Sequence, residues 1–285
     1  MNQVWFITGS AGGIGAGIAR AALAAGDLVV ATDIDEERLA AVYSENVEHV
    51  LTVALDIRDP LQAASAVAAA LARFGRIDVL VNNAGYGQFG PFEEIEAEAI
   101  ERQFATNVFG TFNVTRAVLP AMRKRRAGHV INMSSNGGFK GVAGASMYSS
   151  SKFAIEGFSE SLAQEIAGFG IQLTIVEPGA FRTDFLDSRM LKLGSGSIAD
   201  YADFRTRAAA VFEARNHQQA GDPDKLGEAL VLLARERVPP LRFVAGADAL
   251  TVVDNKLAFV AAEVNQWRHL SQSTDFQQPK KANHD

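Results

Sequence analysis

The chain has no cysteine in 285 residues, which excludes a disulfide framework, a zinc site built on thiolates and a cysteine nucleophile. It also lacks any run of 18 or more apolar residues, so no membrane-spanning helix is expected. The first apolar run, VWFIT from Val4, leads straight into a glycine motif and leaves no room for a signal sequence, so the expectation is a cytoplasmic protein. Basic excess is missing as well: 27 Lys and Arg against 33 Asp and Glu give a net charge of −6, which disfavours nucleic acid and anionic membranes as partners. The one basic run, RKRR at 123–126, reads as a solvated helix end. The five histidines, at 49, 129, 217, 269 and 284, form no pair at ligand spacing, so no metal site is expected.

What is present is a regular alternation. Short apolar runs (VWFIT, DLVVAT, HVLTVAL, IDVLVN, HVINMS, IQLTIVE and LRFVAG) alternate with helical stretches at 13–25, 36–43, 60–73, 93–122 and 147–167. Strands that are apolar throughout and separated by helices predict a parallel sheet covered on both faces, hence an α/β, doubly wound fold of about seven strands. With 48% hydrophobic residues, one domain over 1–270 is expected, followed by a polar, poorly ordered tail at 271–285. The alternation breaks once, over 184–221, where glycine, charge and isolated large apolar residues mix. That stretch follows a strand end, where ligands sit in such sheets, and reads as a substrate lid.

Between the first strand and the first helix lie Gly9, Ser10, Gly13, Ile14 and Gly15. Glycines there let the backbone turn tightly and approach a pyrophosphate, which rests on the helix N-terminus. Asp33 ends the second strand about twenty residues on, where a carboxylate accepts from the ribose hydroxyls of NAD. It would repel the extra phosphate of NADP by about 4 kcal/mol at 4 Å and an effective dielectric of 20. No Lys or Arg stands at 10–12 or 34 to offset this, so NAD is favoured over NADP. Asp33 and Glu36 also have capping-box spacing, and a capping role for Asp33 is the alternative.

In YSSSK, Tyr148 and Lys152 stand four positions apart, a spacing expected about 0.1 times by accident among four tyrosines and eight lysines. Ala154, Phe158, Leu162 and Ile166 recur every four residues after them, so the segment is a helix and the pair stacks one turn apart. A phenol titrates near ~10, and one ammonium about 4 Å away supplies roughly the 4 kcal/mol needed to make it an acid or base near neutrality. Lys152 pairing only with Glu156, and Asn107 as an ordinary mid-helix residue, are the bland readings.

TGSAGGIG, NNAG at 82–85, ATN ending at Asn107, INMSS at 131–135, YSSSK, and EPGAFRT at 177–183 together resemble the short-chain dehydrogenase/reductase family over about residues 3–246. The resemblance implies a Rossmann-type fold and a catalytic tetrad of Asn107, Ser135, Tyr148 and Lys152, Ser135 being chosen over Ser134 because it lies thirteen residues before Tyr148. It implies that Asp56 and Ile57 flank the adenine, that Asn83, Ala84 and Gly85 back the adenosine ribose, and that Thr183, after Pro178 and Gly179, holds the nicotinamide carboxamide. It also implies that Lys152 binds the nicotinamide ribose and that Asn107 positions a proton-relaying water.

The expected function is hydride transfer between NAD(H) and a secondary alcohol or ketone, with Tyr148 as general acid/base and Ser135 holding the substrate oxygen. The alternatives are an NADPH-dependent carbonyl reductase and a non-catalytic nucleotide sensor of the same fold. Tyr86, Phe89 and Phe92, with Phe185, Leu186, Met190 and Leu193, suggest an apolar wall and a hydrophobic substrate. By resemblance, the helices near 95–122 and 147–167 would pair subunits into a homodimer or homotetramer.

Overall fold

The computed structural model describes residues 2–187, 191–194 and 196–276. In chain order its elements are β1 (Val4–Thr8), α1 (Gly13–Ala24), β2 (Leu28–Asp33), α2 (Glu36–Val42), β3 (Val50–Ala54), α3 (Pro60–Phe74), β4 (Val79–Asn82), β5 (Gly87–Phe89), α4 (Ala97–Phe104), α5 (Thr111–Arg125) and β6 (Gly128–Met133). There follow α6 (Ser146–Ala167), β7 (Ile171–Pro178), β8 (Leu191–Leu193), α7 (Ala202–Arg215), α8 (Pro223–Arg235), β9 (Arg242–Ala245) and α9 (Ala247–Gln272). Seven parallel strands form one sheet in the order β3-β2-β1-β4-β6-β7-β9, as in a Rossmann-like fold.

Alternation along β1 builds the two cores. Trp5 and Ile7 pack with α1 and α8 on one face, while Val4 and Phe6 pack with α3 and α5 on the other. Such side chains contribute about 1.5–3 kcal/mol each on burial. Asp59 caps α3 through the Leu61 and Gln62 amides and Pro60 opens it, while Gly75, left-handed at φ 76°, closes it. Helices α1 and α8 cross through glycine: a Cβ on Gly227 would lie 2.5 Å from the Gly17 carbonyl oxygen. The chain winds outward from β1 in one direction and from β4 in the other, so a crevice opens at their C-terminal ends.

Three expectations change. The helix expected over 93–122 is a short 3₁₀ turn at Phe92–Glu94, then α4, a π-helical turn at Ala105–Gly110, and α5. Gly110 rests flush on Ile57, and the Asn107 amide bonds the Tyr86 backbone in both directions, contacts that the wider turn accommodates. The 184–221 segment carries its own structure: β8 pairs in parallel with β5, and α7 lies over the site. At the C-terminus α9 continues through Gln272, past the expected boundary at 270, and residues 277–285 of the tail lie outside the described residues, as does Met190. Among the described residues no helix is long and apolar enough to cross a membrane.

Candidate active site

The glycine loop follows β1 into the crevice. Gly9 and Gly13 adopt positive φ, 66° and 56°, which favours glycine, and a Cβ on Gly15 would overlap the Gly9 carbonyl. Asn83 secures the loop: its Nδ2 donates to the carbonyls of Thr8 (3.0 Å) and Gly9 (2.9 Å), while the Thr8 hydroxyl accepts from the amides of Asn83 and Ala84, both at 3.0 Å. Gly85 comes up against the Asn107 carboxamide. Asp33 is not a helix cap. Its Oδ2 accepts from the Ala11 amide at 3.0 Å and its Oδ1 from the Asp35 amide, while Asp35 itself caps α2 through the Arg38 amide. Each Asp33 oxygen keeps further acceptor capacity beyond these bonds, so the loop and the carboxylate fit a dinucleotide.

Other expected cofactor residues are placed less directly. The Ser10 hydroxyl turns inward to the Thr32 carbonyl, and Ile14 packs against the core. Asp56 is paired with Arg58, whose guanidinium holds its carboxyl below the usual range, and Ile57 is buried under the π-turn. Pro178 ends β7, and the Gly179 amide donates to the Ala245 carbonyl at 2.9 Å. Thr183 lies against Gly13 and caps the short turn at Asp184–Leu186.

Sequence reasoning missed several supports. The Arg38 guanidinium lies over Gly12 and pairs with Asp184 at 2.9 Å, bringing a cation to the loop from the first turn of α2, a position outside 10–12 and 34. Asp248, two residues past Gly246, accepts from the Ala180 amide at 2.8 Å and fills the space beside Gly179. Buried Gln103 accepts from the Gln88 amide and donates to the Tyr86 carbonyl. Folding also gathers Asp184, Asp187 and His217, which sequence spacing could not reveal, but Asp184 is engaged by Arg38, and Asp187 by Asn216 and His217.

The catalytic candidates converge between β6 and α6. A Cβ on Gly137 would touch both the Tyr148 ring, at 3.3 Å, and Ser135 Oγ, at 3.5 Å, so the phenol and the hydroxyl flank one glycine. Ser135 Oγ accepts from the Gly137 amide at 3.1 Å. Burial pushes the Tyr148 phenol up, and a hydrogen bond with Ser135 counters this in part. Lys152 Nζ donates to the Met133 carbonyl at 2.8 Å and stands 5.8 Å from the centre of the Tyr148 ring. Burial lowers Lys152 to about 8, opposed by Glu156. Glu156 in turn pairs with Arg242, which also holds Glu160 and Glu177. The Asn107 Nδ2 is taken up by the Tyr86 carbonyl and by Ser151 Oγ.

Aromatic rings cover Tyr148. Phe89 stacks on it with centroids 5.4 Å apart, Phe185 lies 5.7 Å away, and Phe212 of α7 meets Phe89 edge-on at 5.5 Å. A cavity of about 150 Å³ adjoins them, lined by Gly90, Pro91, Leu193, Phe204 and Phe212 among others. The covering segment is fastened to the body where Arg205 pairs with the buried carboxylate of Glu94.

The sequence profile of the short chain dehydrogenases matches residues 3–193. The chain belongs to the short-chain dehydrogenase family. Oxidoreductase BOA17 of Botryotinia fuckeliana is 37% identical, over 95% of this chain and 98% of its own length. A 3-ketodihydrosphingosine reductase of Bacteroides thetaiotaomicron is also 37% identical, over 86% of this chain and 88% of its own. A short-chain dehydrogenase structure from Streptomyces avermitilis superposes with a TM-score of 0.88 at 40% identity, covering 97% of this chain and all of its own. Two further solved neighbours, at 26% and 27% identity with TM-scores of 0.70 and 0.73, hold NADH and NADP⁺. The protein is thus an NAD(P)-binding oxidoreductase of this family.

Proposed function

We propose that the enzyme interconverts a secondary alcohol and a ketone with NAD(H), using Tyr148 as general acid and base. The observation that carries this reading is the pairing of Tyr148 with Ser135 across Gly137. A nicotinamide held at the glycine loop would supply the hydride chemistry, as acceptor from an alcohol carbon and as donor to a ketone. In oxidation the ionised phenol removes the hydroxyl proton; in reduction the neutral phenol supplies it. Ser135 donates a hydrogen bond to the oxygen that gains charge. Lys152, buried beside the ring, favours the phenolate through its positive charge while it donates to the Met133 carbonyl. The Asn107 side chain is committed to Tyr86 and Ser151, so it holds the turn in place, and a water relay would use its main-chain carbonyl, which accepts from Thr111 Oγ1.

Phe89, Phe185 and Phe212 exclude water around Tyr148 and favour an apolar substrate. The 3-ketodihydrosphingosine reductase of Bacteroides thetaiotaomicron, by its name a reductase of a keto compound, is consistent with the ketone chemistry. Asp33 favours NAD(H). Arg38 over Gly12 supports the second reading, an NADPH-dependent carbonyl reductase, because a cation there offsets the carboxylate. Tyr148→Phe should retain NADH binding, measured by fluorescence titration, and lose at least about 100-fold in turnover across a panel of alcohols and ketones; undiminished turnover would sink the assignment.

A further inference from the structure

Helix α9 spans 26 residues, and at 1.5 Å per residue it extends about 39 Å. Only its first turns touch the body. Ala249 is buried and Val252, Val253 and Lys256 are half-buried, but every described residue from Leu257 to Phe276 is exposed. The exposed stretch is nonetheless rich in large apolar side chains: Leu250, Leu257, Val260, Val264 and Trp267 lie between 40% and 57% open to solvent. With Val253 they are spaced three, four, three, four and three residues apart, the a and d positions of a heptad seam. A helix that folds only onto its own domain turns such a seam inward.

Charge argues against a lipid surface as the occupant. The helix carries Asp248, Asp254 and Glu263 against Lys256 and Arg268, with no basic face to meet anionic headgroups. A second copy of the same helix is complementary when antiparallel. Heptad geometry sets Leu250 against the partner's Trp267, Val253 against the partner's Val264, and Leu257 against the partner's Val260, each a opposite a d. In the same register the flanking Lys256 meets the partner's Glu263, and the two-fold axis repeats that attraction. Leu270, on the side of the helix that carries Ala249 and Lys256, then faces the partner's body.

We propose that α9 is a docking surface for α9 of a second copy, forming an antiparallel, two-fold helix pair. Six side chains from each helix would bury on the order of 1,000 Å² in total, at the lower end of specific interfaces, so the association depends on concentration. This surface is separate from α4, α5 and α6, so if those helices also pair, α9 joins one dimer to another.

Sedimentation equilibrium of the full chain tests the proposal. Leu257→Asp with Val264→Asp should halve the assembled mass, with far-UV circular dichroism unchanged because both positions are exposed. Glu263→Lys should raise the dissociation constant about tenfold, since two Lys256–Glu263 pairs turn from attraction to repulsion, and adding Lys256→Glu should restore it. The natural lack of cysteine lets orientation be read directly: an oxidised mixture of Lys256→Cys and Glu263→Cys proteins should cross-link unlike chains, whereas parallel helices would join like with like. An unchanged mass in the double Asp variant, failure of the charge reversal to rescue, like-with-like cross-links, or α9-dependent binding to phosphatidylglycerol vesicles would each overturn it.

Discussion

Asp33 and Arg38 place opposite charges at the two sides of the glycine loop, one bonded to the Ala11 amide and the other laid over Gly12. Asp33→Ala removes the carboxylate and leaves the cation, so kcat/KM with NADP(H) relative to NAD(H) should rise at least about tenfold, out of the roughly 4 kcal/mol of repulsion that the carboxylate exerts at 4 Å. Steady-state assays with both nucleotides check this, and an unchanged ratio would remove Asp33 from cofactor choice. At this scale the sequence was partly legible. The spacing of Asp33 from the glycines and of Ser135 from Tyr148 marked residues that folding does bring to the crevice. Arg38 was hidden because its guanidinium reaches back from the first turn of α2, and a side chain's reach leaves no mark in residue spacing. The position of Lys152 was hidden for another reason: the Met133 carbonyl that holds its ammonium belongs to β6, and only the fold sets that carbonyl beside α6.

Among the elements, the crossing of α1 and α8 leaves little room for added volume. Gly17 and Gly227 each approach backbone of the other helix, so Gly227→Val must push α8 off α1 and should destabilise the protein by roughly 2–3 kcal/mol, read as a lowered urea midpoint. Because α1 begins in the glycine loop, nucleotide affinity should fall as well. The strands were readable because each apolar run must be buried on both faces of a parallel sheet. The π-turn was not, since its apolar and polar residues keep helical period and the extra residue per turn answers to Ile57 and Tyr86, far away in sequence. Helix α7 was equally obscure: it buries no residue fully, and its apolar positions Phe204, Ala208 and Phe212 make only two helical steps among charged and small residues.

Across the whole molecule, one buried group in the sheet ties folding to pH. His129 on β6 bonds the Thr174 hydroxyl through Nε2, and burial pushes it down to about 4. The unfolded chain binds a proton near 6.5, so stability is full above that pH and is lost as pH falls toward the folded value. Between pH 7 and 4.5 this one group should cost about 2–3 kcal/mol, and His129→Gln should show a correspondingly smaller drop in melting temperature over that interval. The overall architecture was the most legible level, because alternation of runs and helices leaves few sheet orders open. The path of the covering segment was the least legible, because its contacts are side-chain meetings with distant loops, such as Arg205 with Glu94. At its start, three consecutive residues have three different neighbours: Thr183 lies against Gly13, Asp184 holds Arg38, and Phe185 leans on Tyr148. A shift of that turn is therefore felt at both ends of the crevice. If nucleotide binding moves it, substrate affinity changes by some factor, and thermodynamic reciprocity requires substrate to change nucleotide affinity by the same factor.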